Sequence, residues 1–474
     1  MLNFKLIIFQ GECMYKKGLL LCFIVINVLF AQEKPVDPFA VNNGNIPPAS
    51  DYSGALFQFN YDYPKTYTPP VNTLWQKVLN GKPVTKKNAH TYMMALKKHV
   101  KPTLDKFLSD PEGWNSSDQA GWYSMLWAGQ SIEKVGWEGR ESIYGTFTGQ
   151  VQSKDVYAAS GLTKDVRNYA AILYDERAAY TLHQVWKDCN QTTQECVPRV
   201  DNNETQFKEG AIVIKSSGIT ATPKEWPVLE DAPIWKVYRK DYNLSGTIPD
   251  TLLKVRDTRV VFIDIIVKDS IASPQTGWVF STFVYDKNAT GDIWDKMVPL
   301  GAMWGNDPDV MSPKDPNAMN PNLKETYINS NAPEWTKVTL GYGGRLSGPF
   351  DISVKYNVEV NGKNLSKLRS SSCMSCHGTS SYTSGAIHMS TFLYPAKEYK
   401  SQPWVMYTPG SQEWNEWFQN RPGYIPQKKG TIGLDYSTLF EAVLMNYTAA
   451  TIKETKESNA MFLRWKKHRD LYKH

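Results

Sequence analysis

Two periodicities divide the chain. Between about 207 and 350, β-branched and aromatic residues come in short runs: 207–215 (FKEGAIVIK), 234–239 (IWKVYR), 259–267 (RVVFIDIIV) and 277–285 (GWVFSTFVY). Such runs, bounded by turn residues, predict strands. No helical pattern intervenes, so the strands are expected to pair as an antiparallel sheet. Elsewhere the apolar positions recur at three and four. Met93, Met94, Leu96, Val100 and Leu104 predict a helix over about 85–108, with Pro102 as a point of division. A second helix is expected over 169–186 (YAAILYDERAAYTLHQVW). A third is expected over about 436–457, where Leu439, Phe440, Val443 and Leu444 form one face. Residues 32 to about 70 are rich in Pro, Asn and Gly and read as a loosely ordered arm. The expected class is α+β, a mainly antiparallel sheet core with flanking helices. It divides into an N-terminal region at 32–200, containing the arm and a Trp- and Gly-rich helical part, a β region at 201–350, and a C-terminal segment at 351–474.

Residues 1–31 stand apart from this pattern. Lys16 and Lys17 precede an apolar run from Leu19 to Phe30, and Ala31 precedes a plausible cut, the layout of a secretion signal. The run is about a dozen residues, short of the roughly 20 that span a bilayer. The mature protein is therefore expected to be soluble, without a membrane span, in the periplasm or otherwise exported. Removing the signal takes away three lysines and one glutamate and leaves +4 of the original +6. So small a charge gives no reason to expect nucleic acid as a partner. Aromatics make up 13% of the chain, with 16 Trp, more than a soluble protein usually carries, so flat side chains are expected to form walls and turns.

The cysteines sort into pairs. Cys13 and Cys22 leave with the signal, and Cys189 with Cys196 are spaced to close a small disulfide loop in an oxidising compartment. The last pair reads Ser372-Cys373-Met374-Ser375-Cys376-His377-Gly378. C-x-x-C-H is the attachment sequence for haem c: two thiols add across the vinyl groups and the adjacent imidazole becomes the proximal iron ligand. By chance this motif would occur on the order of once in a thousand such chains. A zinc site would need a further ligand, and a thioredoxin-like C-x-x-C a preceding strand. No phosphate loop, G-x-S-x-G or H-E-x-x-H is present.

On these residues the chain resembles the monohaem c-type cytochromes. The resemblance implies one covalently attached haem c held by Cys373 and Cys376, with His377 on the iron. It implies electron transfer with a redox partner protein, periplasmic or membrane-associated. The order FKEGAIVIK, WKVYRKD, GWVFSTF, CMSCHG is also similar to the β-sheet haem c proteins, which include the lysine-cross-linked hydroxylamine-oxidising cytochromes and the β-sheet form of cytochrome c-prime. That resemblance covers about 205–380 and implies an open iron acting on a small nitrogen- or oxygen-containing molecule. It also makes Lys215 the position to examine for a cross-link, although by composition Lys215 is an ordinary strand-end lysine. Met389 and His388 are the nearest candidates for a distal ligand, followed by Met406, Met445 and Met461. His90, His99 and His183 read as ordinary helix residues. Arg345, Lys363, Lys367 and Arg369 read as surface charge or as groups for haem propionates and an acidic partner. Asp307 and Asp309 read as a turn.

Overall fold

The computed structural model describes residues 36–116, 121–201, 203–240, 252–310, 318–348, 369, 371–387, 410–453 and 460–462, and the backbone of short strands at 358–360, 363–365, 396–397 and 405–406. The main sheet has eight strands: β1 (Phe147–Gln152), β2 (Val166–Tyr174), β3 (Ile212–Ile219), β4 (Ile234–Lys240), β5 (Leu253–Lys268), β6 (Trp278–Tyr285), β7 (Met297–Met303) and β8 (Thr326–Ile328). Their order is β1-β2-β3-β5-β6-β7-β8, and every pairing is antiparallel. β4 pairs with the first half of the long β5, and β3 and β6 with its second half. The fold is α+β, as the pattern predicts.

Strand alternation gives this sheet two different faces. On one, Ile214, Ile263, Ile265 and Phe283 are wholly buried in the main core. On the other, Ile172, Lys215, Asp264 and Thr282 stand in one row across β2, β3, β5 and β6, beside a row of Tyr174, Val213, Ile266 and Phe280. Lys215 and Asp264 in the first row are partly exposed, as polar residues on the solvated face of an antiparallel sheet commonly are, and this face carries the cleft described below.

Helix α1 (Ala89–Ser109) packs against β7 and β5 through a buried stripe of Tyr92, Met93, Leu96, Val100, Leu104 and Phe107. It runs unbroken through Pro102, contrary to the expected division. Helix α2 (Glu176–Trp186) corrects the expected helix over 169–186. Residues 166–174 are β2, and the helix starts only after Asp175, whose side chain accepts from the Ala178 N–H. Tyr, Ile and Leu in YAAILY fit a buried strand, and their accidental three-and-four spacing mimicked a helix face. Helix α3 (Cys373–His377) carries the C-x-x-C-H sequence, and helix α4 (Thr438–Thr451) buries Leu439, Phe440, Val443 and Leu444.

The expected loose arm is packed where described. Phe57 and Tyr63 are buried, the Phe57 N–H donates to Ser142 O, and the Trp127 N–H donates to Pro38 O. Extended backbone without sheet partners is held here by aromatic burial. Among the described residues, no helix is long and apolar enough to cross a membrane. Residues 1–35, with the expected signal, lie outside the described residues.

Candidate functional site

The single turn of α3 is built from its first residue. Ser372 is the N-cap: its hydroxyl accepts from the Ser375 N–H at 2.9 Å, and Ser375 Oγ accepts from the Ser372 N–H at 2.8 Å, a reciprocal capping box. Ser372 Oγ also donates to Asn306 Oδ1 at 2.6 Å, fastening the turn to the segment after β7. The Cys373 N–H donates to Leu346 O. Positions three apart on a helix lie on one side, so Cys373 and Cys376 share a face. Both are half-buried thiols outside any disulfide, and with His377 they line one cleft.

His377 is held in one tautomer. Its Nδ1 lies 2.8 Å from the carbonyl oxygen of Tyr436. A carbonyl only accepts, so Nδ1 carries the proton and donates it, leaving the Nε2 lone pair to act as donor to a metal. The ring packs against Phe280 at 5.1 Å between centroids and 65° between planes. Burial pushes the imidazole pKa down to about 4, and the nearby Lys215 charge acts in the same sense against the opposing effects of the Tyr436 bond and Asp264. At neutral pH the ring is uncharged, the form that binds iron or zinc.

The cleft facing α3 encloses about 1200 Å³ of empty space open to solvent, and a neighbouring one about 620 Å³. Lys215, Ile266, Phe280, His377 and Thr438 line both. Ile266 and Phe280 give an apolar floor. Beside them runs the polar row: Thr282 Oγ1 donates to Asp264 Oδ1 at 2.7 Å, and Lys215 Nζ lies 3.8 Å from Asp264 Oδ2. Asn168, buried at the same cleft, has an Oδ1 with no hydrogen-bond partner among the described residues.

Several sequence expectations change here. Lys215 is not at a strand end; it lies in the middle of β3 and points into the cleft. Arg345 is neither surface charge nor a partner contact. It is 1% exposed, and its guanidinium donates to the carbonyls of Asn306, Asp307, Val310 and Tyr342. Asp307 does open a turn, its carbonyl accepting from the Val310 N–H, while its side chain accepts from the N–H groups of Lys324 and Glu325 before β8. Cys189 and Cys196 form the expected disulfide. Met445 is buried in the main core, and Met461 is partly buried against it. His388, Met389 and Lys367 lie outside the described residues, as do the side chains of Lys363 and Met406. Sequence reasoning missed Tyr436, Asn306 and the N-cap Ser372. Only Ser372 left a signal, a serine directly before a short helix with a second serine at its third position.

Among the described residues, no group of three or more His, Cys, Asp or Glu is placed to hold a metal ion. No family model, no curated protein and no solved structure matches this chain.

Proposed function

We propose that this chain is an exported c-type cytochrome that carries one haem c through Cys373, Cys376 and His377 and binds a small nitrogen- or oxygen-containing molecule beside it. The observation that carries the haem reading is the helical turn itself. Two thiols outside any disulfide and a neutral, Nδ1-anchored imidazole line one cleft. The residues fit the group: a single imidazole is a poor metal site alone, whereas a porphyrin brings four nitrogens of its own, and the Ile266 and Phe280 floor suits a flat apolar ring. Haem c, if bound, would supply redox-active iron chemistry to the cleft.

Cys373 and Cys376 would hold the group covalently by addition across its two vinyl groups, each sulfur bonding to one carbon and each thiol hydrogen going to the adjacent carbon. His377 Nε2 would be the protein's ligand to that group, with Tyr436 O keeping the proton on Nδ1. The row Lys215–Asp264–Thr282 favours a ligand-binding iron over a plain electron carrier, because it puts a cation, a carboxylate and a hydroxyl in the cleft that must also take the ring. Such groups can hold a small polar molecule and exchange protons with it. Lys215 is also the side chain to examine for a covalent link to the ring. A redox partner protein in the exported compartment then supplies or accepts the electrons. The disulfide Cys189–Cys196 supports that compartment.

Optical spectra of the purified, haem-loaded protein in both oxidation states, with and without carbon monoxide, test the ligand-binding part. Rapid carbon monoxide binding to the ferrous form is expected, and a six-coordinate low-spin spectrum indifferent to carbon monoxide would overturn it. For the attachment, Cys373→Ala/Cys376→Ala protein is expected to lose its haem on denaturation while the wild type keeps it. Equal retention by both would end the covalent reading. Mass spectrometry of haem peptides reports whether Lys215 is joined to the ring.

A further inference from the structure

The carbonyl that fixes His377 comes from an unusual place in the backbone. Asp435 and Tyr436 are consecutive non-glycine residues with φ of 46° and 65°, both in the left-handed region. A side chain with a Cβ adopts that region at a steric cost, and two in succession do so only where the surroundings enforce it. The enforcement is visible at Asp435, whose side chain is fully buried. Lys268 Nζ donates to its Oδ1 at 2.7 Å and to its Oδ2 at 2.9 Å. Trp278 Nε1 donates to Oδ1 at 2.8 Å, and the Phe207 N–H donates to Oδ2 at 2.8 Å. The Asp435 N–H reaches Gly423 O, where any Cβ would fall 1.7 Å from Asp435 Oδ1, so position 423 has to be glycine. Tyr436 is tied down separately, its hydroxyl donating to Arg421 O at 2.8 Å.

Lys268 ends β5 and Trp278 opens β6, the two strands that supply Asp264, Ile266, Phe280 and Thr282 to the cleft. One rigid frame thus sets both the floor of the cleft and, through Asp435, the direction of the Tyr436 carbonyl. We propose that Asp435 is a positioning residue for the axial imidazole: clamped by Lys268 and Trp278, it holds the left-handed pair so that Tyr436 O keeps His377 in the Nδ1–H tautomer and strengthens its Nε2 as a donor. The effect on iron rests on the haem reading above; the effect on the tautomer does not. Hydrogen bonding to the far nitrogen of a ligating histidine fixes its orientation and raises its basicity. A stronger donor stabilises ferric over ferrous iron, so releasing the clamp moves the reduction potential upward.

The test uses Asp435→Asn in the full chain, with Trp278→Phe as a milder second variant that removes one donor and keeps the bulk. ¹⁵N-histidine NMR of the haem-free protein, with His377→Gln assigning the signal, reads the tautomer directly. Wild type is expected to show Nδ1–H at His377, and Asp435→Asn a mixture with Nε2–H, with a smaller change in Trp278→Phe. In the haem-loaded proteins the midpoint potential is expected to rise in the same order. The disulfide variant Cys189→Ala/Cys196→Ala, weakened elsewhere, is expected to keep the wild-type potential. If folded Asp435→Asn keeps the wild-type tautomer, the positioning role is overturned. If Asp435→Asn does not fold, an unchanged tautomer in Trp278→Phe overturns it equally. A wild type that takes up no haem defeats the proposed function, and the NMR result then decides the positioning role alone.

Discussion

The carboxylate of Asp175 joins two elements through one atom. Its Oδ1 accepts from the N–H of Ala178 at 2.8 Å, capping α2, and from the N–H of Ile212 at 2.9 Å, where β3 begins. Burial outweighs these bonds and the nearby Arg177 and pushes its pKa up from 3.8 to about 7. Below about pH 4 the group is protonated in both folded and unfolded chains. Between about 4 and 7 the folded protein keeps a proton that the unfolded chain has released, so stability falls as pH rises through that window and levels off above it. At about 1.4 kcal/mol per pKa unit, the whole swing is up to about 4 kcal/mol. Asp175→Asn offers the same oxygen to both N–H groups without ionising. Urea unfolding of the variant between pH 4 and 7 is therefore expected to lose that part of the pH dependence and to gain stability at pH 7. A slope equal to that of the wild type would show that Asp175 is ionised across the range.

At the scale of the element, α3 is a single turn and too short to be stable alone. Its ends are fixed by Ser372, which caps the Ser375 N–H and donates to buried Asn306. Ser372→Ala removes the cap, worth about 1 kcal/mol, and leaves Asn306 Oδ1 without that donor, which adds about 1–2 kcal/mol. A fall of about 2–3 kcal/mol in unfolding free energy is expected from urea titration, and, on the haem reading proposed above, less complete attachment of the group. Stability within a few tenths of the wild type would mean that the turn is held by other contacts. The C-x-x-C-H spacing that marks α3 is local, and so it was legible in the sequence. The strands at 234, 259 and 277 were legible for the same reason, since β-branched alternation is written into neighbouring residues. The carbonyl that orients His377 was not, because Tyr436 lies 59 residues further on and contributes only backbone. Nor was the burial of Arg345, whose four carbonyl partners come from two loops that only the folded chain brings together. At 169–186 the local signal misled, because the capping aspartate inside the pattern outweighed its periodicity.

Across the whole molecule, the sheet separates stability from chemistry. One face is sealed by α1 and wholly buried aliphatic residues, while the other places its polar row in the cleft with α3. The two cysteine pairs follow this division. Cys189 and Cys196 close a loop just after α2, where Trp127 Nε1 donates to Cys196 Sγ, and neither lines the cleft. Cys373 and Cys376 lie on the cleft wall, outside any disulfide. A loop this small is worth roughly 2–3 kcal/mol by restricting the unfolded chain. Cys189→Ala/Cys196→Ala is therefore expected to unfold at lower urea by that amount and, on the haem reading proposed above, to keep the haem content and spectrum of the wild type. The complementary Cys373→Ala/Cys376→Ala chain breaks no cross-link, so without haem it is expected to lose less stability than the disulfide variant. If opening the distant disulfide altered the haem spectrum, the two faces would be mechanically coupled through β2 and β3, and this separation of roles would be wrong.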